Sequence, residues 1–221
     1  MAYEFKKFYI DGKWVDPVVP KEFKVINPAT EDVAGVISMG GQKDVDLAVA
    51  AARRAFDSYS QSSRADRRAL LEKILSGYTR RHAEIGDAIR DEMGAPSGLA
   101  QGAQAGIGVG HLKTMIEVLA NFQFEERRGT SRLLLEPVGV CALITPWNWP
   151  INQVVIKAYP AFATGCTVVH KPSEVAPFTA LRRSGRMLAA LLFAVNEERL
   201  PPEAASARRE LLEALRRETR K

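Results

Sequence analysis

The 221 residues contain only two cysteines, Cys141 and Cys166, too few for a disulfide framework. Both fall in apolar runs of strand character and read as buried, reduced thiols, so the expected compartment is the cytoplasm. The three histidines, His82, His111 and His170, are scattered, and no Cys/His cluster has zinc spacing. No metal is expected. No apolar run reaches the length that spans a bilayer. The opening Met1-Ala2-Tyr3-Glu4-Phe5-Lys6 also lacks the apolar stretch of a secretory signal. A strongly charged body is missing too. The net charge is +5, but residues 181–221 hold ten Arg/Lys against six Glu. The preceding residues are nearly neutral, so neither a nucleic acid nor a membrane surface is an expected partner.

What is present is a chain with 46% apolar residues, enough to bury a core. Phe8 to Val15 is two short β-prone pieces around Asp11-Gly12, a hairpin turn pair. Lys24-Val25-Ile26 and Val33 to Ile37 read as strands around the turn Asn27-Pro28-Ala29-Thr30. After Gly40-Gly41 the apolar period lengthens to that of a helix. One helix is expected from about Asp44. A second starts at Ser62 or Ser63, where Ser63 and Asp66 form a capping pair. A third runs through Ile85 and Met93 to Gly94-Ala95-Pro96. A fourth covers about Ala100 to Phe122. Its Gly106-Ile107-Gly108-Val109-Gly110 fails the dinucleotide spacing and follows no strand, so close helix packing is the better reading. Phe122 to Glu136 alternates like an exposed hairpin.

The centre of the chain is a strand–helix–strand unit. Val138 to Thr145 is a near-continuous apolar run that suits a strand buried on both faces of a parallel sheet. Pro146-Trp147-Asn148-Trp149-Pro150 ends it, Ile151 to Thr164 is helical, and Cys166 to His170 is a second strand after Gly165. Ligands of open α/β sheets bind at the carboxyl ends of such strands. Asn148 offers an amide donor there, suited to a developing oxyanion. A turn residue capping the next helix is an equal alternative. Lys171 and Glu174 could hydrogen-bond a ribose, or simply form a solvated loop.

Taken together, Pro146-Trp147-Asn148-Trp149-Pro150, Ala163-Thr164-Gly165-Cys166 and Lys171-Pro172-Ser173-Glu174 resemble the aldehyde dehydrogenase superfamily over about residues 6–180. The resemblance implies an α/β fold with a Rossmann-like, partly parallel sheet, here an incomplete coenzyme domain. A β-hairpin oligomerisation arm and a helical tail complete the expected chain. The implied division is 1–121 for the first strands and helices of the coenzyme domain, 122–136 for the arm, 137–180 for its strand–helix–strand core, and 181–221 for a tail that departs from the family. Members oxidise aldehydes to acids with NAD or NADP through a cysteine thiohemiacetal. By position, Asn148 resembles the oxyanion-hole amide, Ile144, Thr145, Pro146 and Trp147 the segment lining the coenzyme, and Lys171 and Glu174 the pair at the adenosine ribose. Pro172 and Ser173 shape that loop. Glu174 leans toward NAD, since a carboxylate repels a 2′-phosphate, and Lys171 offsets part of that repulsion.

The resemblance also puts the nucleophilic cysteine, the general-base Glu and the glycine-rich pyrophosphate turn beyond residue 221. A buried thiol in apolar surroundings carries little thiolate, so neither Cys141 nor Cys166 is expected to substitute. The expectation is therefore a truncated aldehyde dehydrogenase-like oxidoreductase, inactive alone, with weak or absent coenzyme binding. The alternatives are a non-catalytic coenzyme binder, a subunit that docks through the 122–136 hairpin as a homo- or hetero-oligomer, or a truncated product without selected function. Two amphipathic helices are expected in the tail, one through Met187 to Val195 and one after Pro201-Pro202.

Overall fold

The structure, a computed structural model, describes residues 3–184, with side chains to Leu181. The two expected tail helices lie outside the described residues. β1 (Tyr3–Phe5) pairs in parallel with β5 (Val33–Ser38), which pairs antiparallel with β4 (Glu22–Ile26). β2 (Phe8–Ile10) and β3 (Lys13–Val15) form a hairpin whose turn residues Asp11 and Gly12 have φ of 53° and 75°. That is the turn geometry Asp-Gly favours.

A run of helices follows, and the first three have local reasons for their ends. α1 (Gln42–Tyr59) starts two residues before Asp44, because the Asp44 carboxylate accepts from the Gly41 N–H at 2.9 Å and reaches Val18 N as well. α2 (Arg64–Arg80) is capped by Ser63, whose Oγ accepts from Asp66 N at 3.1 Å while Asp66 accepts from Ser63 N. Such a reciprocal cap is worth ~1 kcal/mol. α3 (His82–Met93) stops at Gly94, in the left-handed region at φ 63°. A single turn α4 (Ser97–Leu99) and a π-helical turn (Ala100–Gln104) lead into α5 (Ala105–Asn121). The expected continuous fourth helix is thus interrupted near its start.

β6 (Glu125–Arg128) and β7 (Ser131–Leu134) form a hairpin in which every residue is exposed. β8 (Val140–Thr145), α6 (Pro150–Ala163) and β9 (Thr167–Pro172) are the strand–helix–strand unit, with β8 and β9 parallel. One expectation needs correcting here. β9 is buried throughout, but β8 is not buried on both faces: Ile144 is 38% exposed and the preceding Val138 83%. Among the described residues β8 pairs only with β9, so its outer side has no neighbour to cover it.

The core runs between the helices and this strand pair, through Val45, Val49, Leu71, Ile74, Leu112 and Val168. α7 (Phe178–Ser184) closes it near the N-terminal strand, where the rings of Phe178 and Tyr3 lie 4.6 Å apart. Among the described residues no helix is long and apolar enough to cross a membrane.

Candidate functional site

The parallel register sets Ile144 opposite Lys171 and Thr145 opposite Pro172. Ile144 to Asn148 and Lys171 to Glu174 therefore leave the sheet at the same edge, the carboxyl ends of both strands. Ile144, Pro146, Trp147 and Asn148 are exposed there, while Thr145 is buried. Pro150 occupies the first turn of α6 and Trp149 its cap position, with no side-chain cap bond. Proline suits that position because its missing N–H would be unpaired anyway. Asn148 is thus not the helix cap. Its amide stands at the surface of the strand-end loop.

The second loop departs from the solvated reading. Lys171, Pro172, Ser173 and Glu174 are all buried. Lys171 Nζ lies 3.7 Å from Glu174 Oε2, with each side chain only 10% exposed. Glu174 Oε2 is buried, and among the described residues no hydrogen-bond donor reaches it. A buried carboxylate oxygen without a donor is costly. Donation by a ligand hydroxyl would relieve it, so the pair fits the ribose of a dinucleotide. A cavity of ≈ 370 Å³ opens beside the first loop, lined by Trp147, by Val175 just after Glu174, and by Lys24, Pro28, Glu92 and Met93.

Two residues of this region carry no motif and were not singled out in the sequence. His170 is fully buried on β9 and shares a 3.0 Å hydrogen bond with Thr145 Oγ1. Burial pushes its pKa down to about 3, with Lys171 and Lys157 adding to the shift, so the ring is neutral. Glu92, on α3, accepts from Phe178 N, Thr179 N and Thr179 Oγ1 at the start of α7. It thereby ties α3 to the segment that follows Glu174. Burial pushes its pKa up to about 8 against those hydrogen bonds. The only sequence signal for either was an ionisable residue inside an apolar period.

Cys141 and Cys166 sit at the other, amino-terminal end of the strand pair, away from Asn148. The expectation of two buried, unreactive thiols is half corrected. Cys166 is buried and Cys141 is only partly so. The Cys141 pKa is raised, by its hydrogen bond to Cys166 and by burial, whereas that of Cys166 is lowered by the Cys141 hydrogen bond, with further donors from Thr164, Gly139 and Val138. Among the described residues no group of three or more His, Cys, Asp or Glu could hold a metal.

Comparison with known proteins identifies relatives of the chain. The model of the aldehyde dehydrogenase family matches residues 14–196, some way into the stretch from Leu181 that was read as departing from it. A 3-succinoylsemialdehyde-pyridine dehydrogenase of Pseudomonas sp is 52% identical over 178 residues, which are 80% of this chain and 37% of that protein. A mutant of aldehyde dehydrogenase C from Pseudomonas syringae, solved with NAD+ and octanal, superposes with a TM-score of 0.83 at 40% identity. The match covers 86% of this chain and 41% of that one. An aldehyde dehydrogenase of Mycobacterium tuberculosis with NAD+ gives a TM-score of 0.84 at 28% identity, covering 89% and 44% respectively. The chain therefore spans about two fifths of the length of these relatives.

Proposed function

The chain belongs to the aldehyde dehydrogenase family, and from that premise we propose that its two strand-end loops are the adenosine and oxyanion portions of an NAD-dependent aldehyde oxidation site. The observation that carries this reading is the buried Lys171–Glu174 ion pair, whose Glu174 Oε2 accepts no hydrogen bond among the described residues, at the same sheet edge as Asn148. Glu174 accepts from ribose hydroxyls and Lys171 balances its charge, while Pro172 and Ser173 hold the loop. Ile144, Thr145, Pro146 and Trp147 line the coenzyme. NAD+, when bound in such a site, supplies a hydride acceptor. Asn148 donates its amide N–H to an aldehyde oxygen as negative charge develops there. A carboxylate at 174 disfavours a 2′-phosphate, which supports NAD over NADP.

These 221 residues by themselves are proposed to bind NAD+ weakly and to turn over no aldehyde. Their only cysteines lie at the far end of the strands from Asn148, so no thiol reaches a carbonyl held by that amide. Titrating the chain with NAD+ while following Trp fluorescence tests the reading, since Trp147 borders the cavity. Quenching that saturates in the millimolar range and is abolished by Glu174→Ala is the expected result. A titration indifferent to Glu174→Ala would overturn the assignment. Incubation with NAD+ and a panel of aldehydes is expected to give no NADH above background.

A second reading rests on a separate observation, the wholly exposed hairpin β6–β7. Under that reading the chain docks as a subunit through the hairpin, onto another copy or onto a longer relative.

A further inference from the structure

The amino-terminal end of the β8–β9 pair carries a second cluster of reactive groups, remote from the coenzyme edge. Side chains alternate along each strand, so Cys141, Leu143 and Thr145 share one face of β8. Cys166, Val168 and His170 share the matching face on the chain of β9. On that face His170 stands opposite Leu143, yet it bonds to Thr145, two residues further along β8. Cys166 precedes His170 by four residues, and Cys141 precedes Thr145 by four. The two cysteines therefore stand in the same diagonal relation as His170 and Thr145, two pleats earlier. The two thiols thus face one another across the strand pair, and each displaces the other's proton affinity.

The surroundings of the two sulfurs differ. The Cys166 sulfur receives the backbone N–H groups of Gly139 and Val138 and lies 3.6 Å from Thr164 Oγ1. The Arg67 guanidinium presses against Gly165, the residue before it, so closely that a Cβ there would lie 2.5 Å from Arg67 Cζ. Arg67 is buried, and its hydrogen bonds go to neutral oxygens, Ser62 Oγ at 2.9 Å and Ser60 O at 2.7 Å. Backbone donors to a thiol favour the thiolate. Cys141 lacks these donors, keeps its proton, and is the partly exposed member of the pair. A low-pKa thiol beside a resolving thiol is the arrangement redox-sensitive pairs use; here the low-pKa member is only 2% exposed, and a peroxide reaches it on the side of the partly exposed Cys141.

We propose that Cys141 and Cys166 form a redox modification site, which a hydroperoxide converts to an intramolecular disulfide. The Cys166 thiolate attacks one peroxide oxygen. An S–O bond forms, the O–O bond breaks, and the departing oxygen takes up a proton as alcohol, or as water from hydrogen peroxide. The Cys141 sulfur then attacks the resulting sulfenic acid. The S–S bond forms, the S–O bond breaks, and hydroxide leaves with the Cys141 proton as water. Two thiols thus supply the two electrons that reduce one peroxide. The product fastens the turn after α6 to the first residues of β8, which return from the exposed hairpin.

The test is unusually clean because the chain has no other cysteine. The 221-residue chain is exposed to hydrogen peroxide, alkylated, and weighed intact. The expected outcome is loss of two hydrogens and of both alkylation sites, reversed by dithiothreitol. Cys141→Ser is expected to leave Cys166 as a dimedone-reactive sulfenic acid, and Cys166→Ser to abolish the reaction at the same dose. A second measurement needs no variant: the native chain should close the disulfide at least tenfold faster than the chain unfolded in urea. Equal rates would overturn the proposal. So would a native chain that keeps both thiols, gains only oxygen atoms, or links only to other chains.

Discussion

Glu92 and His170 bury ionisable groups within the same core, and their displaced pKa values act on stability in opposite directions. Glu92 is raised from its ordinary 4.5 to about 8, chiefly by burial, with Asp91 adding to the shift. The folded state then binds more protons than the unfolded state between those values. Stability falls as pH rises through that window, by up to about 1.4 kcal/mol per pH unit for one such group. His170 is lowered from 6.5 to about 3, so the unfolded state binds more protons between those values and stability falls as pH drops. The two slopes cancel between about pH 4.5 and 6.5 and separate outside it. Thermal melts across pH are therefore expected to show a decline from pH 6.5 to 8 that Glu92→Gln removes. A decline below pH 4.5 should be reduced by His170→Leu. If Glu92→Gln melts with the same alkaline slope as the parent chain, the ionisation of Glu92 is not its cause.

At the scale of elements, the run Gly106-Ile107-Gly108-Val109-Gly110 separates two reasons for glycine in one helix. A Cβ on Gly108 would fall 2.4 Å from Tyr78 Oη, whose hydroxyl donates to Ala105 O across the α2–α5 contact. Gly106 and Gly110 face open space. Close packing therefore requires glycine only at position 108. Gly106→Ala and Gly110→Ala are expected to raise stability by up to ~1 kcal/mol each, from helix propensity alone. Gly108→Ala should lower it by ~1–3 kcal/mol through overpacking. Urea unfolding of the three variants checks the order, and a stable Gly108→Ala would mean that Tyr78 can move aside.

The same contrast explains what the sequence could reveal. Signals confined to a few neighbouring residues were legible: Asp11-Gly12, the Ser63–Asp66 cap, the Gly94 stop, and the two strand-end loops. What depended on distant partners was not. The parallel pairing of Tyr3–Phe5 with β5, the 87-residue reach from Glu92 to Thr179, and the burial of Lys171 and Glu174 follow from packing that no local period encodes. The cysteine pair is the sharpest case. Each thiol read singly was an inert apolar filler, and only the register of two strands put one beside the other.

For the whole molecule, the hairpin β6–β7 is the element least accounted for by the chain's own core. Its strands are held by four residue pairs and by side-chain links such as Arg132 to Glu125 at 2.7 Å. An isolated two-stranded ribbon is marginal in water, and exposed ion pairs like this add at most about 1 kcal/mol. Yet Leu133, Leu134 and Leu135 are 45–51% exposed, and Val138 beyond them 83%. Apolar side chains in a row beside unpaired strand edges favour association. Leu133 and Leu135 project to the same side of the ribbon, so one paired substitution can interrupt that surface without touching the core. Light scattering after size exclusion is expected to show concentration-dependent association of the parent chain and its loss in the double variant Leu133→Glu with Leu135→Glu. Circular dichroism should remain unchanged, because both side chains are about half exposed and neither belongs to the core. A parent chain that stays monomeric at high concentration would leave docking onto a longer relative as the hairpin's role, and co-purification with such a relative would then have to be abolished by the same double substitution.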